Sequence, residues 1–146
     1  MFFIFNGRSW RGESGNRYKF KCVLTKAGLP KADMGGVYVF VRRRWVFFME
    51  PLYVGKAHDL RSRLLGHEKW GRAYWYYGAT ERYYCGPIET EEERRAVEED
   101  LIHGLKPRMN DVAIPKANHD ARVHGAALRK KLFSFEGMFG RKHSHA

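Results

Sequence analysis

The residues of this chain that can bear chemistry fall in one ordered series. Tyr38 closes Gly36-Val37-Tyr38, Tyr53 opens Tyr53-Val54-Gly55, Arg63 ends the run Lys56-Ala57-His58-Asp59-Leu60-Arg61-Ser62-Arg63, and Glu98 and Asn110 follow downstream. Two phenols offer proton acceptors once ionised, a guanidinium offers fixed positive charge, a carboxylate holds a cation, and an amide pins backbone or phosphate. Together they suit cutting a phosphodiester rather than only gripping one. An unperturbed phenol has a pKa of about 10, so about one in a thousand is ionised at pH 7, and a tyrosine base needs positive charge beside it. Lys56 and Arg63 are the nearest cations in this series.

Each member also has a plain structural use. Tyr38 and Tyr53, on adjacent strands of one hairpin, make a cross-strand aromatic pair. Arg63 leaves its helix beside Leu60, Leu64 and His67, at a buried rim where an arginine either packs with an acid or meets an anion. Its fork of donors suits a pentacoordinate phosphate better than lysine would. Six acids stand between Thr90 and Leu105, and helix position separates them. Val97, Leu101 and Leu105 repeat at i, i+4, i+8, and Glu98 is three, four and seven residues from Leu101, Ile102 and Leu105, so Glu98 borders the buried face. Glu91, Glu92 and Glu93 fall in the first turn and suit the helix dipole, while Glu99 and Asp100 are expected to face water.

The elements that position these residues follow from pattern. Gly36 to Val41 is apolar on both faces, as a central strand should be, and Trp45 to Phe48 and Leu52 to Val54 supply its returning partner, with Arg42, Arg43 and Arg44 at the hairpin tip. Asp59 caps a helix carrying Leu60, Leu64 and His67 along one stripe. Gly71 to Gly78 reads as an aromatic-rich connection, and Glu81 to Tyr84 as a third strand. Thr90 to Glu93 is a Thr-x-x-Glu capping box opening a helix that Gly104 weakens and Pro107 stops. Upstream, Tyr18 to Leu24 alternates apolar and basic residues like a half-exposed strand; downstream of Pro115 lies a basic tail with a helix expected near 120–135.

The chain has 146 residues, 44% of them hydrophobic, which fits one domain with a real core. Lysine and arginine exceed the acids by 27 to 16, a formal charge of +11, so attraction to a polyanion is expected and nucleic acid is the default partner. Cys22 and Cys85 stand alone, without zinc-ligand spacing or a disulfide framework. Phe2-Phe3-Ile4-Phe5 is too short for a signal sequence or membrane span, and a cytoplasmic protein without a membrane partner is expected.

Taken in order, the series resembles the GIY-YIG nuclease superfamily across about residues 35 to 111. Gly36-Val37-Tyr38 and Tyr53-Val54-Gly55 match its two tyrosine triplets. Lys56-Ala57-x-Asp59-Leu60-x-x-Arg63 matches the stretch closed by its arginine. Glu98, with Pro107 and Asn110 beyond it, matches the family's Glu…Lys-Pro-x-x-Asn ending, and His67 matches a histidine of some homing and restriction members. Fourteen residues, Val39 to Leu52, separate the triplets, a longer hairpin than is usual there. The resemblance implies an α+β fold, a small three-stranded antiparallel sheet flanked by helices over 35–111, with an N-terminal strand-containing extension (1–34) and a basic C-terminal extension (112–146).

It further implies a metal-dependent endonuclease that hydrolyses DNA with a tyrosine-activated water and leaves 5′-phosphate and 3′-hydroxyl ends. Tyr38 would take the proton, with Tyr53 on the same water or phosphate and the two able to exchange roles. Arg63 would stabilise the transition state, His67 would hold water or phosphate, and Asn110 would fix the chain beside the site. Glu98 would bind one divalent ion, Mg²⁺ or Mn²⁺, with no small-molecule cofactor. Lys56, Arg42, Arg43 and Arg44 would grip nucleic acid. A non-catalytic nucleic-acid adaptor of this fold and a delivered antibacterial toxin are the alternatives.

Overall fold

The structure, a computed structural model, describes residues 7–45 and 48–110. Five strands, β1 (Gly7–Arg11), β2 (Arg17–Val23), β3 (Gly36–Arg43), β4 (Met49–Ala57) and β5 (Glu81–Cys85), form one sheet in the order β1-β2-β5-β3-β4, every neighbour antiparallel. Three helices accompany them: α1 (Leu60–Leu65), α2 (Glu68–Tyr77) and α3 (Glu91–Leu105). The fold is α+β, the sheet curled into a half-barrel.

The expected three-stranded sheet is thus too small. The expected three, β3, β4 and β5, are present, and the N-terminal segment adds two more. β5 is flanked on one side by β3 and would otherwise expose a row of unpaired backbone groups on the other. β2 covers it, with Lys21 opposite Tyr84, Cys22 opposite Tyr83 and Val23 opposite Arg82. Alternation along β2 buries Tyr18 and Phe20 and leaves Arg17, Lys19 and Lys21 exposed, while Val23, out of phase, is buried in the core on the other face. The short, polar β1 carries little pattern beyond its buried Trp10.

Both faces of β3 are covered, which explains its unbroken apolar run. Val37, Val39 and Val41 share a core with Val97 and Leu101 of α3, whereas Tyr38 and Phe40 share one with Leu60 and Leu64 of α1 and Ala73 of α2. β3 also runs further than the hairpin reading allowed. Arg42 pairs with Glu50 and Arg43 with Met49, so these two belong to the strands rather than the tip.

The helices depart from expectation in three places. Asp59 does cap α1, its side chain accepting from the Ser62 N–H, but α1 ends at Leu65. His67 therefore lies outside that helix and instead N-caps α2. The 71–78 stretch is not a connection: α2 runs through it and ends on Gly78 in the left-handed region at φ 78°. Trp70, Ala73 and Tyr77, at i, i+3, i+7, turn inward and hold the helix in place despite Gly71.

The third departure is Asp100, expected to face water but fully buried; Glu99 is buried too. Asp100 accepts hydrogen bonds from the Ser14 N–H (2.8 Å), the Ser14 hydroxyl (2.6 Å) and the Tyr18 hydroxyl (2.6 Å). The loop between β1 and β2 is thereby clasped onto α3. One turn on, Gly104 lets that loop approach: a Cβ there would lie 2.6 Å from the Glu13 nitrogen. Gly104 costs helix propensity and permits this contact. Thr90 opens α3 as expected, accepting from the Glu93 N–H at 3.1 Å. The expected helix near 120–135, the 112–146 extension and the Phe2–Phe5 run lie outside the described residues. Among the described residues, no helix is long and apolar enough to cross a membrane.

Candidate active site

The two tyrosines meet because of a glycine. Tyr38 on β3 stands directly opposite Gly55 on β4, and a Cβ at Gly55 would overlap the Tyr38 hydroxyl and ring. With no side chain in the way, the Tyr38 ring lies across β4 toward Tyr53, ring centroids 6.1 Å apart. The family-like triplet Tyr53-Val54-Gly55 so acquires a physical reason at its third position. Tyr38 is sealed at 1% exposure, while Tyr53 is half-buried.

The junction between α1 and α2 brings two more groups. Arg63, in the last turn of α1, is within hydrogen-bonding reach of the Tyr38 hydroxyl and lies 3.7 Å from Glu68. Capping of α2 fixes the His67 ring: Nδ1 accepts from the Lys69 N–H at 2.9 Å, and Nε2 is hydrogen-bonded to the Tyr38 hydroxyl. An imidazole whose Nδ1 is an acceptor carries its proton on Nε2, so His67 donates to the Tyr38 oxygen. That oxygen accepts from His67, and Arg63 and Tyr53 lie close enough to act on its ionisation.

Burial raises both phenols above their ordinary range. The Arg63 guanidinium works against burial at each, and the Tyr38 hydroxyl does so for Tyr53. His67 moves the other way, to about 4, first through burial and then through the charge of Arg63. It is neutral at physiological pH. An unfolded histidine takes up a proton near pH 6.5 and the folded one only near 4, so stability falls as pH drops through that window, by on the order of 3 kcal/mol at about 1.4 kcal/mol per pH unit. Asparagine also caps helices and does not titrate. In urea titrations at pH 7.5 and pH 5, His67→Asn should lose less stability on acidification than the wild-type chain.

Glu98 approaches from α3, on the other face of the sheet. Its negative charge is felt at both tyrosines and is the leading charge acting on Tyr53. One carboxylate oxygen, Oε1, is buried without a hydrogen-bond partner among the described residues. Burial raises the Glu98 carboxyl to about 7, opposed chiefly by Lys56. A buried, unpartnered carboxylate oxygen is costly unless something positive meets it. A single carboxylate could serve as one protein ligand of a hard cation that keeps several waters; among the described residues, no group of three His, Cys, Asp or Glu side chains gathers.

The other sequence candidates are placed less centrally. The Asn110 amide grips the β4 backbone, accepting from the Val54 N–H and donating to the Val54 carbonyl, both at 2.8 Å, while the Met109 N–H donates to the Leu52 carbonyl. This segment covers the outer edge of β4 and holds Tyr53 and Gly55 in line. Asn110 is therefore a positioning residue. Lys56 pairs with Glu91 at 2.7 Å, and Arg43 grips Glu81 through two nitrogens at 2.6 and 3.0 Å. Arg42 lies against Gly78 at the end of α2, and Arg44 is exposed. Lys69, which sequence reasoning passed over, sits over the Tyr53 ring at 5.3 Å. Its signal was present once His67 is read as an N-cap, because the second residue of a helix then follows beside it.

Tyr38, Tyr53, Arg63 and His67 thus share one neighbourhood on the face of the sheet covered by α1 and α2, and Glu98, on α3, acts on the two tyrosines through its charge. Comparison of the chain with protein-family models, with curated proteins and with solved structures gives no match.

Proposed function

We propose that this chain is a metal-dependent endonuclease that hydrolyses DNA phosphodiester bonds, as its resemblance to the GIY-YIG nucleases implies. The observation that carries the reading is the meeting of two phenols with Arg63 and the field of Glu98, in a chain of net charge +11. Glu98 would hold one Mg²⁺ or Mn²⁺ ion, which when bound neutralises charge building on the leaving 3′-oxygen.

The remaining chemistry belongs to side chains. Exposure divides the tyrosines: Tyr53 is half-buried, whereas Tyr38 is sealed. The general base is accordingly assigned to Tyr53, with the proton-acceptor role first given to Tyr38 moved one ring outward. Tyr38 is the relay that transmits donation from His67 and Arg63 to the Tyr53 oxygen. Each of these contacts favours the phenolate, against the cost of burial. Arg63, partly exposed, offers its remaining donors to the phosphoryl oxygens. His67, with Nδ1 occupied and Nε2 donating, positions Tyr38 and does not take a proton itself. Lys69 adds positive charge over the Tyr53 ring.

Incubation of supercoiled plasmid with Mg²⁺ or Mn²⁺, beside an EDTA control, tests the reading. Nicked or linear product with 5′-phosphate and 3′-hydroxyl ends is the expected result. Binding without metal-dependent cleavage under either ion points instead to an adaptor of the same fold.

A further inference from the structure

The outward face of α2 is unlike an ordinary solvated helix face. Trp75 is 78% exposed and Tyr76 84%, with Tyr74 half-exposed beside them, while Trp70, Ala73 and Tyr77 satisfy the core. Helical periodicity places Arg72 one turn back from both Trp75 and Tyr76, and Lys69 seven residues before Tyr76 on the same stripe. Gly71, one turn before Trp75, faces open space. Glu68 is the helix's single acid.

We propose that this face is a stacking platform for unpaired bases, and that the substrate of the proposed nuclease site is a nucleic-acid strand that is single-stranded where it crosses α2. The inference rests on the phosphodiesterase reading for the fate of the strand and on α2 alone for its binding. Aromatic rings interleaved with cations are what a strand with exposed bases requires: rings take base faces, and Arg72 and Lys69 meet phosphates. The cores of protein–protein interfaces are depleted in lysine, so Lys69 on this stripe favours a phosphate-bearing partner. The platform is also in line with the site. His67 caps the N-terminus of α2 and touches Tyr38, and Trp75 lies eight residues further on, about 12 Å along the axis at about 1.5 Å per residue. A strand held at the Tyr53 oxygen reaches Trp75 within a few nucleotides.

The test is binding of a fluorescein-labelled dT20 and of a duplex of equal length, in EDTA so that no cleavage intervenes, for the wild-type chain and for Trp75→Leu, Trp75→Phe and Tyr76→Ala. Trp75→Leu and Tyr76→Ala should each weaken dT20 binding about tenfold, a size typical of base–aromatic stacking. Trp75→Phe, which keeps a ring, should retain most of the affinity, and duplex binding should change by less than about threefold. Equal losses for duplex and single strand overturn the proposal, as does full affinity in Trp75→Leu. A concentration-dependent dimer that Trp75→Leu dissociates, with dT20 binding unaffected, assigns the face to a second copy and overturns it too. Loss confined to single strands in a chain that never nicks DNA supports the platform and counts against the nuclease reading alone.

Discussion

Glu98→Gln is expected to lower metal-dependent nicking by about 10³-fold while making the chain more stable above neutral pH. The first effect follows from the role proposed for the carboxylate: the amide is isosteric but neutral, and loss of a cation held there would remove several kcal/mol of transition-state stabilisation. The second follows from burial. The folded carboxyl sits at about 7, above its unfolded value, so between those two values the folded state holds a proton that the unfolded state has released. Stability is lost as pH rises through that interval, and above 7 the cost is complete, on the order of 3 kcal/mol at about 1.4 kcal/mol per pH unit. Glutamine carries no such cost. Urea titrations at pH 8 without metal should place Glu98→Gln above wild type, and saturating Mg²⁺ should raise only the wild-type midpoint. A variant that loses both cleavage and stability would mean that Glu98 holds the fold rather than an ion.

Tyr53→Phe carries the second large effect. Removing the proposed base should lower nicking by about 10²- to 10⁴-fold without weakening DNA binding in EDTA. Tyr38→Phe, which breaks the relay and leaves the Tyr53 oxygen in place, should cost less. Because burial raises Tyr53 above its ordinary range, the wild-type rate should climb about tenfold per pH unit from pH 7 to 9, with no plateau in that span. Tyr53→Phe should flatten the profile. A Tyr53→Phe chain that nicks normally, beside a Tyr38→Phe chain that does not, returns the base to Tyr38.

What the sequence makes legible and what it hides divide by the range of the interactions. The tyrosine hairpin, β5 and α3 are marked locally, by an apolar run, by alternation and by the Thr90–Glu93 capping box. Glu98 is locatable because the apolar stripe of α3 sets its angle. Asp100 sits two residues further along the same helix and was misplaced, because what buries it is Ser14 and Tyr18, more than 80 residues away in sequence. A trace of that contact does exist in Gly104, one turn beyond Asp100, whose missing side chain admits the distant loop.

α2 was hidden for a different reason. Tyrosine and tryptophan are middling helix formers and Gly71 a poor one, so propensity argues against the helix. Its caps, His67 and Gly78, and its inward stripe of Trp70, Ala73 and Tyr77 outweigh that preference. Once α2 begins at His67, that residue leaves α1 and its ring is held by capping. The roles proposed for the two phenols were beyond sequence altogether, since they rest on the ring of Tyr38 lying over Gly55 and on burial that only the assembled sheet provides.

The central claim is that Tyr53, Arg63 and a cation on Glu98 act on one phosphate. Crystals of the Tyr53→Phe chain grown with Mn²⁺ and an oligonucleotide test it most directly, through the anomalous signal of the metal. One Mn²⁺ held by a Glu98 oxygen, beside a phosphate that Arg63 also contacts, is the predicted result. Manganese seated elsewhere, with the Glu98 oxygen still unligated and the strand passing on another face, would contradict it.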